Sequence, residues 1–221
     1  MCEITKTTEY CINIKNTFSF TNEDEEKMQI QMARLSVLYQ DILIELDGAL
    51  EAAELKELRH SDESNRRFYF VRRGLGTTWE IKQAVDVLQM NKAFQGLKTT
   101  MRKENRDMWD DAVKFFQEHQ GDLKRWRNDQ GGHFTDVAAK FAIDNMPPEL
   151  KGEIVVFKQG EGAGAMMPFS YQLVAVALSM YRSPDEDFQQ HFDRMFGLMR
   201  DSHMHAVRIG HVIVGEHLLR G

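Results

Sequence analysis

Apolar side chains return every third or fourth position from residue 28 onward: Met28, Met32, Leu35, Tyr39, Ile42, Leu46, Ala49 and Ala53. That spacing lays one apolar stripe along a long helix. Start signals stand before it. Asn22 can cap the first turn, Glu25 sits three residues on, and the acids at 23–26 suit the positive helix end. The pattern ends near "RHSDESN". A second helical pattern opens around Asn65 and gathers Phe68, Val71, Leu75, Trp79, Val85 and Leu88 on one face. Gly74 and Gly76 lie inside it. Each weakens a helix by roughly 1 kcal/mol relative to alanine, so the pair predicts a kink or a close helix–helix approach.

Residues 91–106, "NKAFQGLKTTMRKENR", predict a loop and a helix start. A third helix is expected from about Asn105 to Asp129, with Trp109, Ala112, Val113, Phe116, Leu123 and Trp126 inward and "GDL" at Gly121 loosening its last turns. A short helix, "TDVAAKFAIDN", stops at Pro147-Pro148. The period then changes: "GEIVVFKQGEGAGAMMPF" reads as a β-hairpin, and "SYQLVAVALSMY" as a buried helix. Ser183-Pro184-Asp185-Glu186 offers an N-cap, a proline at the first helical position and a capping-box glutamate. A helix is expected from there to the C-terminal end, with Gly197, Gly210 and Gly215 as places for breaks. "EYCINIKNTFSF" alternates loosely and reads as an edge strand or an arm.

The expected class is mainly α: a helical bundle of four to five helices, with a small β-hairpin and a C-terminal helical extension. Its divisions are an N-terminal arm over 1–21, a bundle over 22–150, a hairpin insertion over 151–168, and C-terminal helices over 169–221 packed on the bundle. All of these belong to one domain. A chain of 221 residues with 42% hydrophobic side chains can bury such a core.

No apolar run approaches the roughly 20 residues that cross a bilayer, so no membrane partner is expected. The first residues lack a basic start followed by an apolar core, unlike a secretory signal. Cys2 and Cys11 are the two cysteines. Both fall in the arm, which points to a reducing, cytoplasmic setting, with a single Cys2–Cys11 bridge as the alternative. The net charge of −6 argues against a general nucleic-acid coat, but it is unevenly spread. Residues 64–140 carry 15 Lys/Arg against 10 Asp/Glu; the rest carries 13 against 24. A cationic face on an acidic protein can draw a polyanion locally.

Two motifs look like sites and are not. "GEGAGA" has no Lys-Ser/Thr after it, so it reads as a hairpin turn and not a phosphate loop. The C-terminal histidines, His191, His203, His205, His211 and His217, lack the four-residue spacing of a helical metal pair. They read as solvated or interface histidines, and Met195, Met199 and Met204 beside them as packing or an oligomer contact. Neither a metal nor a cofactor is expected.

"RWRNDQGGHF", beginning at residue 125 with Arg and Trp126, concentrates chemistry at a helix end. On a continuous helix six residues turn through about 600°, which leaves Arg127 and His133 roughly 120° apart. Gly131 and Gly132 can end the helix through φ > 0 and let His133 swing back toward Arg127. Arg supplies a permanently charged fork for phosphate oxygens, and His can take and give a proton near neutral pH. Asn128 can orient either one. Such a set suits metal-free RNA cleavage, in which a 2′-hydroxyl attacks the adjacent phosphorus and Arg stabilises the phosphorane. One motif has one imidazole, and a two-fold dimer would supply a second.

At these residues the chain resembles HEPN domains. "RNDQGGH" fits their Arg–polar–(four to six)–His pattern through Arg127, Asn128 and His133, and residues 22–146 supply a similar helical setting. The resemblance implies an all-α homodimer and, for active members, a metal-independent endoribonuclease that binds RNA, with Arg127 and His133 as the catalytic pair and Asn128 assisting. The N-terminal arm, the hairpin and the C-terminal helix depart from the simplest members. The bland alternative makes Gly131-Gly132 a helix C-cap, with Trp126 and Phe134 in the core. The chain is then a non-catalytic helical interaction module, or scaffold, for a protein partner.

Overall fold

The computed structural model describes residues 14–54, 60–128, 134–152, 154–159, 162–166 and 169–218. Its helices are α1 (Ile14–Thr17), α2 (Glu23–Glu54), α3 (His60–Met90), α4 (Lys92–Thr100), α5 (Lys103–Glu118), α6 (Gln120–Trp126), α7 (Asp136–Asn145), α8 (Phe169–Leu178) and α9 (Phe188–Ile213). Strands β1 (Val155–Gln159) and β2 (Gly162–Met166) pair antiparallel, with Val155 opposite Met166 and Gln159 opposite Gly162. The class is mainly α, a helical bundle.

Four long helices make the bundle. α2 and α3 lie antiparallel, for Asp24 meets Asn91 at one end while Glu45 meets Thr77 further along. α9 runs antiparallel to α2 and α5: Tyr39 lies against Gly210, Phe115 against His205, and Asn105 against Glu216. The main core joins Met32, Leu35 and Ile42 of α2, Ile81 and Leu88 of α3, Trp109 and Phe116 of α5, and Ile209 and Val212 of α9. α9 is therefore a wall of the bundle, and its apolar face closes the core. A second cluster holds Leu75, Trp126, Val174, Leu178, Leu198 and Met199, and Phe115 packs against both clusters. A third, small one joins Ala138 and Ala142 of α7 to Ala177 of α8.

Local signals account for the helix starts. The Glu25 N–H donates to Asn22 Oδ1, while the Glu25 carboxylate reaches back to the backbone N–H and hydroxyl of Thr21. Thr135 caps α7. Several expectations change. Ile14–Thr17 is one helical turn and not part of a strand; residues 1–13 lie outside the described residues. The stretch after Asn91 is not a loop but α4, because the Asn91 side chain accepts from Phe94 N–H and Phe94 is fully buried.

The expected third helix divides at His119, whose φ of −107° and ψ of 13° leave the helical region two residues before Gly121. α9 begins at Phe188, not after Ser183. Asp187 and Gln190 form the capping box, while Ser183 and Glu186 close a separate turn. Neither Gly197 nor Gly210 breaks α9, and a π-type turn, Val214–Leu218, follows it.

Gly74 and Gly210 mark close approaches. α3 runs unbroken through Gly74, and a methyl group there would collide with the imidazole of His203 on α9. One at Gly210 would collide with the ring of Tyr39 on α2. Absence of a side chain at these two points lets α9 seat against both neighbours.

Candidate functional site

α6 is a short helix whose two inward residues are Leu123 and Trp126, three apart and both buried. That geometry turns Lys124 and Arg125 outward. Arg127 follows in helical conformation, at φ −59° and ψ −46°. Phe134 packs against the cluster that contains Trp126. Trp126 and Phe134 thus serve the core, as the bland alternative expects.

The Arg127 and Asn128 side chains are exposed and touch each other: Arg127 Nη1 donates to Asn128 Oδ1 at 3.3 Å. Arg127 Nη2 stands 3.9 Å from Glu80 Oε1, and the other Glu80 oxygen pairs with Arg34 of α2. Two guanidinium groups therefore flank one carboxylate, and the group keeps a net positive charge. The Arg127 side chain is 46% exposed. An ion pair that open and that long contributes little, on the order of 0–1 kcal/mol, so Glu80 holds Arg127 only weakly. Arg125 lies over the Tyr181 ring, 5.6 Å from its centroid. His133, with Asp129, Gly131 and Gly132, lies outside the described residues. The structure brings Arg127 and Asn128 together at an open helix end.

Arg34 and Glu80 carry no local signature. They stand 46 residues apart in sequence and meet only because α2 and α3 pair. Lys82, also unforeseen, is buried, pairs with Asp86, donates to Gln120 Oε1 at 3.1 Å and lies over the Trp79 ring. It ties α3 to the start of α6 and so fixes the base of the motif.

Three of the C-terminal histidines, His191, His203 and His205, are packed in the bundle and not solvated, whereas His211 is exposed. His191 is fully buried, with Nε2 2.8 Å from the Leu178 carbonyl and Nδ1 within 3.2 Å of Arg194 Nη2. The same Nδ1 stands 3.4 Å from Glu186 Oε2. His203 is buried and its Nδ1 donates to the Met199 carbonyl at 2.8 Å; burial pushes its pKa down. His205 stacks on Phe115, ring centroids 4.3 Å apart, and burial lowers its pKa too. These side chains pack the bundle and are not a solvated row. Met199 is buried in the second cluster, whereas Met204 is exposed. Among the described residues, no group of three His, Cys, Asp or Glu side chains is placed to hold a metal ion. No described helix is long and apolar enough to cross a membrane.

Comparison with protein-family models, curated proteins and solved structures finds no match to this chain.

Proposed function

We propose that the chain is a HEPN-like, metal-independent endoribonuclease acting as a dimer, with Arg127, Asn128 and His133 as its catalytic set. One observation carries the reading: the Arg127 side chain is exposed, with Asn128 on Nη1 and Glu80 3.9 Å from Nη2, at the end of a helix that also turns Lys124 and Arg125 outward. A buried arginine serving only as a helix cap would make the bland reading the better one. An exposed fork suits two phosphate oxygens.

In the proposed reaction, the His133 imidazole of one copy takes the proton of an RNA 2′-hydroxyl. The freed oxygen attacks the adjacent phosphorus, and the P–O5′ bond breaks. A second imidazole, from the other copy, protonates the leaving 5′-oxygen, so the products are a 2′,3′-cyclic phosphate and a 5′-hydroxyl. Arg127 balances the extra negative charge of the phosphorane. Purified protein is expected to cut pooled single-stranded RNA in EDTA, and His133→Ala to abolish cutting with an unchanged melting temperature. Failure of the wild type to cut leaves the interaction-module reading in place.

A further inference from the structure

α7 and α8 meet through alanines: Ala138 and Ala142 of α7 and Ala177 of α8 are fully buried in one small cluster. Beside that contact lies a cleft of about 460 Å³, a size typical of small-molecule sites. α8 divides its faces. Val174, Ala177 and Leu178 are buried in the second and third clusters. Gln172, Ala175, Val176 and Ser179, spaced as one side of a helix, line the cleft. Phe141 and Asn145, one turn apart on α7, face them. The turn in which Leu150 N–H donates to the Pro147 carbonyl at 3.0 Å forms a third wall.

The walls are mainly apolar, and Arg182 is the one charged residue among the described lining residues. It ends the short 3₁₀ turn Ser179–Tyr181 that follows α8. Its backbone N–H donates to the Ser179 carbonyl at 3.0 Å. Its guanidinium has no hydrogen bond or ion pair among the described residues. Asp144, the carboxylate beside Asn145 on α7, is held by Lys140. Asn145 Nδ2 is engaged by the Phe141 carbonyl. An apolar cleft thus carries one open cationic fork.

We propose that this cleft binds an aliphatic monocarboxylate, its chain along Val176, Phe141 and Leu150 and its carboxylate on Arg182. The lining of α8 and its 3₁₀ turn from Gln172 to Arg182 spans about 15 Å at a helical rise, the length of a medium-chain fatty acid. One guanidinium balances one carboxylate and grips it through two parallel N–H···O bonds. A phosphate monoester would bring nearly two negative charges to that single cation. A wholly polar solute would leave the walls wet, and a bare hydrocarbon would leave the fork unused. The site is separate from the Arg127 motif and does not depend on the RNA-cleavage reading.

Isothermal titration calorimetry of the full chain with decanoate, below its micelle concentration, tests the site. Wild type should bind decanoate at least about tenfold more tightly than decanol, since the alcohol lacks the charge that strengthens the hydrogen bonds. Acetate, which has the head and no chain, should not bind measurably. Arg182→Met removes the charge and keeps the backbone hydrogen bond. It should lose about tenfold in decanoate affinity, with decanol affinity and the circular-dichroism melt unchanged. Ala175→Phe fills the cleft and should abolish binding of both. Arg182 is exposed, so its variant decides the matter if Ala175→Phe fails to fold. Arg127→Ala should bind decanoate as wild type does. No decanoate binding by wild type, equal affinity for decanol, or undiminished binding by Arg182→Met or by a folded Ala175→Phe protein overturns the proposal.

Discussion

Glu45 carries a carboxylate into the α2–α3 interface, where it is 7% exposed. Oε1 accepts from the Thr77 hydroxyl at 3.0 Å, and Oε2 finds no hydrogen-bond partner among the described residues. Burial pushes its pKa above the ordinary 4.5, against the smaller pull of Thr77 and Arg73. The folded chain thus holds this proton more tightly than the unfolded chain does. Its contribution to stability is complete below pH 4.5 and is lost as pH rises through the folded value. Glu45→Gln keeps an acceptor for Thr77 and removes the charge. It is expected to stabilise the protein by about 1 kcal/mol at pH 7, with the gain vanishing near pH 4 in thermal melts. His203, His205 and His217 work in the opposite sense, since burial lowers each. Their contribution is present above pH 6.5 and is lost as pH falls below it, because the unfolded chain takes up the protons first. The melting temperature should therefore drop between pH 7.5 and 5.5; a flat profile would contradict their burial. None of this was legible in the sequence. Spacing shows that histidines are not paired for a metal, but it does not tell a buried imidazole from a wet one.

At the scale of elements, periodicity reads well and interruptions read poorly. Leu75, Trp79, Val85 and Leu88 share the buried face that their spacing predicts, and Trp109, Ala112, Phe116, Leu123 and Trp126 likewise face inward. The break between α5 and α6 falls at His119, whose ring lies tilted beside that of Phe115 one turn earlier, centroids 4.6 Å apart, and not at the nearby glycine. Lys82 of α3 meets Gln120 just beyond it, a pairing 38 residues apart that no local propensity encodes. The start of α9 was misplaced for a related reason. Two capping patterns compete within eight residues, and the later one, Asp187 with Gln190, begins the helix. Gly74 was recognisable as a close approach or a kink; the structure resolves it as an approach, to His203. Gly74→Ala should destabilise the protein by about 1–3 kcal/mol, because His203 is held by its bond to Met199 and cannot move aside freely. A melting temperature equal to that of wild type would show that α3 and α9 sit further apart.

For the whole molecule, helices were predictable but their assembly was not. The core closes only when α9 joins α2, α3 and α5, a long-range pairing that no short pattern reveals. The candidate site shows the same division. Arg127 and Asn128 stood out by residue type and spacing, whereas Glu80, which stands beside Arg127, and its partner Arg34 enter through the α2–α3 pairing. The nuclease reading stands on the exposed Arg127 side chain. The most direct measurement is the rate of pooled single-stranded RNA cleavage in EDTA by wild type and Arg127→Ala, with melting temperatures recorded in parallel. The account predicts cyclic-phosphate products from the wild type and a loss of roughly 100- to 1,000-fold in Arg127→Ala at equal stability. Intact RNA with the wild type, or equal rates for the two proteins, would contradict it.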